Sequence, residues 1–148
     1  MSIGTSHTKC SKCQSKAVRN WARPGRTVRY RTLAALPIPS DFPIPTCQRC
    51  FAEQPTPETR AALAPVLQEA YLQDLRQRAR VGIDVVTKFI SQRQLELLLG
   101  LSQGYLSRLR AGAGSPSAEL VSHLALIAND PRTRLLELER FWALPLNG

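Results

Sequence analysis

Histidine is scarce in this 148-residue chain, present only at His7 and His123. Acidic residues are scarce too: 11 Asp and Glu face 20 Lys and Arg, a net charge of +9. Long apolar runs are missing. No stretch approaches the roughly 18 to 20 consecutive apolar residues that a membrane helix needs, and the N-terminal MSIGTSHTKCSKC lacks the apolar core of a signal peptide. Each absence excludes something. With two histidines and no nucleophile, base and acid that can be named together, the chain is not expected to be an enzyme. Without a spanning segment or leader it is expected to be a soluble cytoplasmic protein of a bacterium or phage, associated with the nucleoid. The surplus of positive charge points to a polyanionic partner, because clustered Lys and Arg bind phosphate backbones by releasing counterions. The length allows one ordinary domain or two very small ones.

All four cysteines fall in two pairs of identical spacing, Cys10-Ser-Lys-Cys13 and Cys47-Gln-Arg-Cys50. Two residues between thiolates let one tight turn present both sulfurs to a single ion. Two such turns complete a tetrahedral shell at about 2.3 Å per Zn–S bond. Disulfides would need an oxidising compartment, and a thioredoxin-like redox pair would need a βαβ context. The spacing therefore predicts one Zn2+ on Cys10, Cys13, Cys47 and Cys50, structural because four thiolates close the shell. His7, three residues before Cys10, is the one alternative ligand, and it reads better as a solvated N-terminal histidine.

Between the pairs, residues 27–33 (TVRYRTL) alternate in the strand sense after a turn at Pro24-Gly25. Leu36-Pro37-Ile38-Pro39 and Phe42-Pro43-Ile44-Pro45 are too rich in proline for a central strand or a helix. A segment like this has little core of its own, so the metal is expected to supply much of its folding free energy, on the order of 10 kcal/mol.

After Gln54-Pro55-Thr56-Pro57 the apolar residues fall at helical spacing, at 63, 66, 67, 70, 71 and 75. Thr56 and Pro57 suit an N-cap and a first helical position. Pro65 requires a kink or a later start, Gly82 an end or a hinge, and Asp84 caps a short helix from Val85 to Ile90. The chain thus divides into a four-cysteine zinc-binding module (1–57) with β-hairpins, a linking helix (58–82) and an all-α domain (83–148), an α+β protein.

Within 83–148, Ser91 and Gln94 form a capping box, and Leu95, Leu98 and Leu99 give a buried stripe. Gly100 turns the chain, Leu101 plugs the corner, and Ser102 caps a second helix, about 102–111, that buries Leu106 and Leu109. This is the pattern of a helix-turn-helix. Together with Ser115-Pro116-Ser117 and an amphipathic helix from Ala118 to Ala128, residues 83–130 resemble the Cro/CI-type domain of repressors. In place of the small residue that this family usually has where its two helices touch, the chain has Glu96. An unpaired carboxylate buried there would be costly, so either Glu96 snorkels outward or the helices cross less closely.

The resemblance implies that the N-terminal part of the second helix enters the major groove of double-stranded DNA. Gln103, Gly104, Tyr105 and Arg108 would face base edges, with Ser102 at the helix start and Gln92 on phosphate. Gln103 suits adenine and Arg108 guanine, Gly104 lets the backbone approach, and Tyr105 either meets a thymine methyl or packs on its own helix. Arg93, Lys88 and Arg110 are candidate phosphate contacts. His123 reads as a packed or surface residue. After Asn129-Asp130-Pro131 a last helix carries Leu135, Leu136, Leu138, Phe141 and Trp142, and this apolar stripe is the expected pairing surface of a homodimer.

A four-cysteine module followed by a Cro/CI-like domain is similar in order of parts to the MqsA-type zinc-binding antitoxins. That similarity implies a repressor whose N-terminal module holds a toxin protein. A stand-alone zinc-dependent regulator, its module contacting nucleic acid or the transcription machinery, is the alternative. Charge divides unevenly: residues 1–57 hold nine basic and two acidic residues, residues 58–148 eleven and nine. The net +7 of the first part falls to +5 once four thiolates bind one Zn2+.

Overall fold

A computed structural model describes residues 9–146, so His7 lies outside the described residues. The elements in order are β1 (Val18–Trp21), β2 (Thr27–Tyr30), β3 (Leu33–Pro37), β4 (Ile44–Cys47), α1 (Pro57–Val86), α2 (Gln92–Leu98), α3 (Tyr105–Arg110), α4 (Ala118–Asn129) and α5 (Pro131–Ala143). This is an α+β chain: small antiparallel strand pairs, then helices. It forms two compact units, divided between Tyr71 and Leu72 inside α1. No helix among the described residues is long and apolar enough to cross a membrane.

In the first unit β1 pairs with β4, and β2 with β3, both antiparallel. The expected single run over 27–33 is broken: Arg31 takes a φ of +48° and, with Thr32, turns the chain so that Tyr30 pairs with Leu33. The proline-rich segments supply β3 and β4. Pro37 lies on an edge strand of a two-stranded sheet, where a missing N–H can be tolerated, whereas β4 has β1 on one side and an isolated bridge from Thr46 to Glu53 on the other, with the Pro45 carbonyl accepting the Gln54 N–H at 2.7 Å. The buried apolar set is small: Leu36, Ile38, Ile44, Leu67 and Tyr71, beside Cys10 and Cys47. Arg26 is buried with them, its guanidinium donating to the carbonyl oxygens of Arg23, Pro39 and Phe42. The β2–β3 turn rests on the first half of α1, at Gln68 and Tyr71. There Tyr30 Oη donates to Gln68 Oε1 at 2.7 Å, Thr32 Oγ1 lies 3.0 Å from Tyr71 Oη, and the Arg31 guanidinium stacks near both tyrosine rings.

Thr56 caps α1 as its sequence suggests, accepting from the Thr59 N–H at 3.1 Å, with Pro57 in the first helical position. The helix expected over 58–82 is longer. It begins before Pro65, passes through it, and continues through Gly82 to Val86, so no separate helix spans 85–90; residues 87–89 are a turn. Packing explains why Gly82 does not interrupt it. A Cβ at Gly82 would lie 3.1 Å from Leu124 Cβ, so the missing side chain is what lets α1 and α4 touch. In the second unit Leu75, Ala79, Ile83 and Val86 of α1 recur at helical spacing and are buried. They share that core with Leu95, Leu106, Leu109, Leu120, Leu124, Ile127 and Leu135. Leu98 and Leu99, expected in the buried stripe, are only half-buried.

Candidate metal centre and interface of the second unit

The two cysteine turns are built alike. In each, the first cysteine's N–H reaches the carbonyl five residues on: Cys10 to Ser15 at 2.8 Å and Cys47 to Ala52 at 2.9 Å. Its carbonyl accepts from the residue four on, Gln14 or Phe51, at 2.9 Å in both cases. Gln14 and Phe51 share the same left-handed φ of +61°, the reversal that brings both sulfurs to one side. No glycine is needed at Gln14, although the conformation favours one.

These turns gather Cys10, Cys13, Cys47 and Cys50 so that all four sulfurs lie within 4.8 Å of one another, with Cys10–Cys50 and Cys13–Cys47 each at 3.5 Å. A tetrahedral shell with 2.3 Å bonds needs S···S separations of about 3.8 Å. The four thiols are unbridged and therefore positioned to hold one metal ion. Backbone N–H groups aim at the sulfurs: Lys12 at Cys10 (3.3 Å) and Arg49 at Cys47 (3.4 Å). The Cys50 N–H, then the Arg49 N–H, working against burial, hold Cys47 down at about 6. The Cys13 N–H, opposed by burial and aided by Lys12, lowers Cys10. Cys50 is pushed up to about 11: the Ala52 N–H pulls it down, but burial and the neighbouring sulfurs of Cys10, Cys13 and Cys47 outweigh that pull. Sulfurs this crowded cannot all ionise unless a cation is shared among them. Among the described residues this is the one group of His, Cys, Asp and Glu so placed.

In the second unit α2 opens on the expected capping box, with the Gln94 N–H on Ser91 Oγ at 3.1 Å and the Ser91 N–H on Gln94 Oε1 at 3.3 Å. Gly100, at φ +68°, turns the chain. Ser102 does not cap the following helix. That helix starts three residues later, at Tyr105, from Gly104 in the left-handed region at φ +81°, and has no side-chain cap of its own at that residue. The missing acceptor comes from α2: Glu96 Oε2 accepts the Leu106 N–H at 3.1 Å, and Arg93 Nη1 lies 3.8 Å from Glu96 Oε1. Glu96 is only 2% exposed, so it does not snorkel outward. Outward snorkelling is avoided because a carboxylate beside an uncapped helix start has a donor waiting for it.

The remaining candidate residues fall into three settings. Gln103 and Arg108 are exposed, with the Arg108 guanidinium folded back over Ser102 Oγ at 3.4 Å and the Gln103 carbonyl at 3.5 Å. Arg108 also lies 3.3 Å from where a Cβ on Gly104 would be. Tyr105 is half-buried and lines a shallow pocket with Arg108, Leu109, Ala113 and Ser115. Gln92 and Arg110 are already engaged: Gln92 Nε2 donates to Ser107 Oγ, and Arg110 donates to Gln92 Oε1 at 3.4 Å and pairs with Asp84 at 2.7 Å. Asp84 is thus an ion-pair partner inside α1, not the cap of a helix. Lys88 is exposed in the turn after α1, and His123 is exposed on α4.

Sequence reasoning missed Arg76, whose guanidinium donates to the Gly114 carbonyl at 3.1 Å and to Ser115 Oγ at 2.9 Å, fixing the loop after α3. It also missed the Trp142 indole N–H, which donates to the Leu98 carbonyl at 2.9 Å. Neither contact has a local sequence signal, because each joins residues about 40 apart. Comparison with known protein families, with curated proteins and with solved structures gives no match.

Proposed function

We propose that the chain is a sequence-specific DNA-binding transcriptional regulator, a repressor of antitoxin type, carrying one structural Zn2+ on Cys10, Cys13, Cys47 and Cys50. In this reading α2 and α3 form a Cro/CI-like helix-turn-helix and α3 is the recognition helix in the major groove. The observation that carries it is the start of α3. Exposed Gln103 and Arg108 flank Gly104 there, and Glu96 ties that start to α2. The arrangement supports direct readout: Gln103 offers an amide to adenine and Arg108 a fork to guanine, while Gly104 removes the bulk that would hold a base edge away. Gln92 and Arg110, bonded to each other across the two helices, would present their remaining donors to phosphate.

A helix-turn-helix of this size reads few base pairs, so two copies on a palindrome are expected. The exposed apolar side chains Leu126, Leu136, Phe141 and Trp142 on α4 and α5 support pairing of two chains through this face. The metal module would hold a toxin protein or add phosphate contacts. Its concentration of basic residues favours a second reading, a stand-alone zinc-dependent regulator with no toxin. Selection of bound duplexes from a random pool at stated salt tests the proposal. A palindromic consensus is expected, and Arg108→Ala should relax one base position at a loss of about 1 to 3 kcal/mol. Recovery of no consensus would overturn it.

A further inference from the structure

Phe51 occupies the left-handed position of the second cysteine turn, at φ +61°, which disfavours bulky side chains. Burial does not compensate, since Phe51 is 59% exposed. The matching position of the first turn holds Gln14 at the same φ, so the turn itself has no need of an aromatic ring. The Phe51 ring meets Trp21 at 6.1 Å between centroids, tilted by 50°. Trp21, 36% exposed on β1, has the Arg23 guanidinium 5.4 Å over its ring, and Arg23 in turn is steadied by Glu53 at 3.6 Å. Arg19 lies two residues before Trp21 on the same strand face, and Arg49 two residues before Phe51. Both are exposed and in no ion pair among the described residues.

We infer that this face of the metal module binds single-stranded nucleic acid, an unpaired base stacking on Phe51 against Trp21 while Arg19, Arg23 and Arg49 take the flanking phosphates. Accessible rings beside guanidinium groups match the two things that an unpaired strand exposes, flat base faces and a chain of negative charge. A duplex hides its base faces. An acidic peptide would satisfy the arginines and leave the Phe51 ring uncovered. RNA and single-stranded DNA share the required chemistry. The inference is separate from the reading of duplex DNA by α3, which lies in the other unit.

The test uses the metal-loaded 148-residue chain with Trp142→Phe, which leaves Trp21 as the only tryptophan in it. Short oligothymidylate and oligouridylate should each quench its fluorescence, with affinity falling as salt rises. Phe51→Gly should weaken binding about tenfold and leave the midpoint of unfolding close to that of the parent, because relief of the left-handed strain offsets the lost contact with Trp21 and the freer unfolded chain. That pairing separates loss of a contact from loss of the fold. Absence of quenching at low salt, equal affinity in Phe51→Gly, or equally strong quenching by a random-sequence duplex would each overturn the inference. Quenching by polyglutamate that matched the oligonucleotides would overturn it as well, assigning the face to an acidic protein.

Discussion

Glu96 on α2 supplies the acceptor for the Leu106 N–H at the start of α3, at 3.1 Å and almost wholly out of solvent. A short helix begun from a left-handed glycine thus takes its cap from a neighbouring helix. Glu96→Ala should leave that donor unsatisfied and lower stability by about 1 to 3 kcal/mol in urea titrations. Glu96→Gln keeps an acceptor and should recover most of the loss; equal stability of Glu96→Ala and the parent would refute the capping role.

Gly82 sets two effects against each other. Alanine is favoured over glycine inside a helix by about 1 kcal/mol, but its Cβ would press on Leu124 at 3.1 Å in the core. Overpacking of this kind costs about 1 to 3 kcal/mol, so Gly82→Ala is expected to be destabilising overall. A raised thermal midpoint would show that α1 and α4 can part without penalty.

Removing the metal should affect the units unequally. The first has a small apolar core around its four clustered sulfurs, whereas the second has a buried apolar set running from Leu75 to Leu135. Chelation is expected to collapse the dispersion of β1–β4 amide resonances and to leave those of α2–α5 in place. One equivalent of Co2+ should restore the first set with the visible bands of tetrahedral thiolate ligation.

Acid should release the metal. Cys47 is held down at about 6 by the Cys50 and Arg49 N–H groups against burial, so at neutral pH it is a thiolate ready to ligate. Cys50, pushed up to about 11, must give up a proton on binding. Both facts give affinity the same sign, rising with pH, and occupancy should fall as pH drops toward 6 and below. Bound metal measured by native mass spectrometry across that range checks it, and occupancy independent of pH would contradict thiolate ligation.

Phe141 and Trp142 are 57% and 63% exposed at the end of α5. If this face pairs two copies, Phe141→Glu should give monomers in sedimentation equilibrium at micromolar concentration, where the parent is dimeric, with the fold intact. Monomers of the parent at that concentration would overturn the dimer, and a Phe141→Glu variant that stays dimeric would place the pairing surface elsewhere.

The chemistry of the first unit was legible because it is written locally. Cys10-x-x-Cys13 and Cys47-x-x-Cys50 announce a four-sulfur shell from spacing alone, and the capping box of Ser91 and Gln94 is likewise a short-range signal. What depends on contact between distant residues was not legible. Pro65 and Gly82 look like breaks, but the close approach to Leu124 explains the glycine, and α1 runs through both. Arg31 looks like a strand residue, yet it turns the chain beside Tyr71. Glu96 stood out as an oddity in the sequence, and only the proximity of Leu106 explains it.

The two cysteine turns lie at opposite ends of the strand region, and the contact between Cys10 and Cys50 spans 40 positions. An ion held between them is therefore a cross-link as well as a ligand site. Closing a loop of about 40 residues removes on the order of 4 kcal/mol of entropy from the unfolded chain, by the same loop-closure reasoning that applies to disulfides. It also imposes an order on biosynthesis: the first turn leaves the ribosome with two sulfurs and must wait for β1–β4 to follow before the shell can close. Closure of the shell thus requires that the whole strand region has emerged, from Cys10 to Cys50.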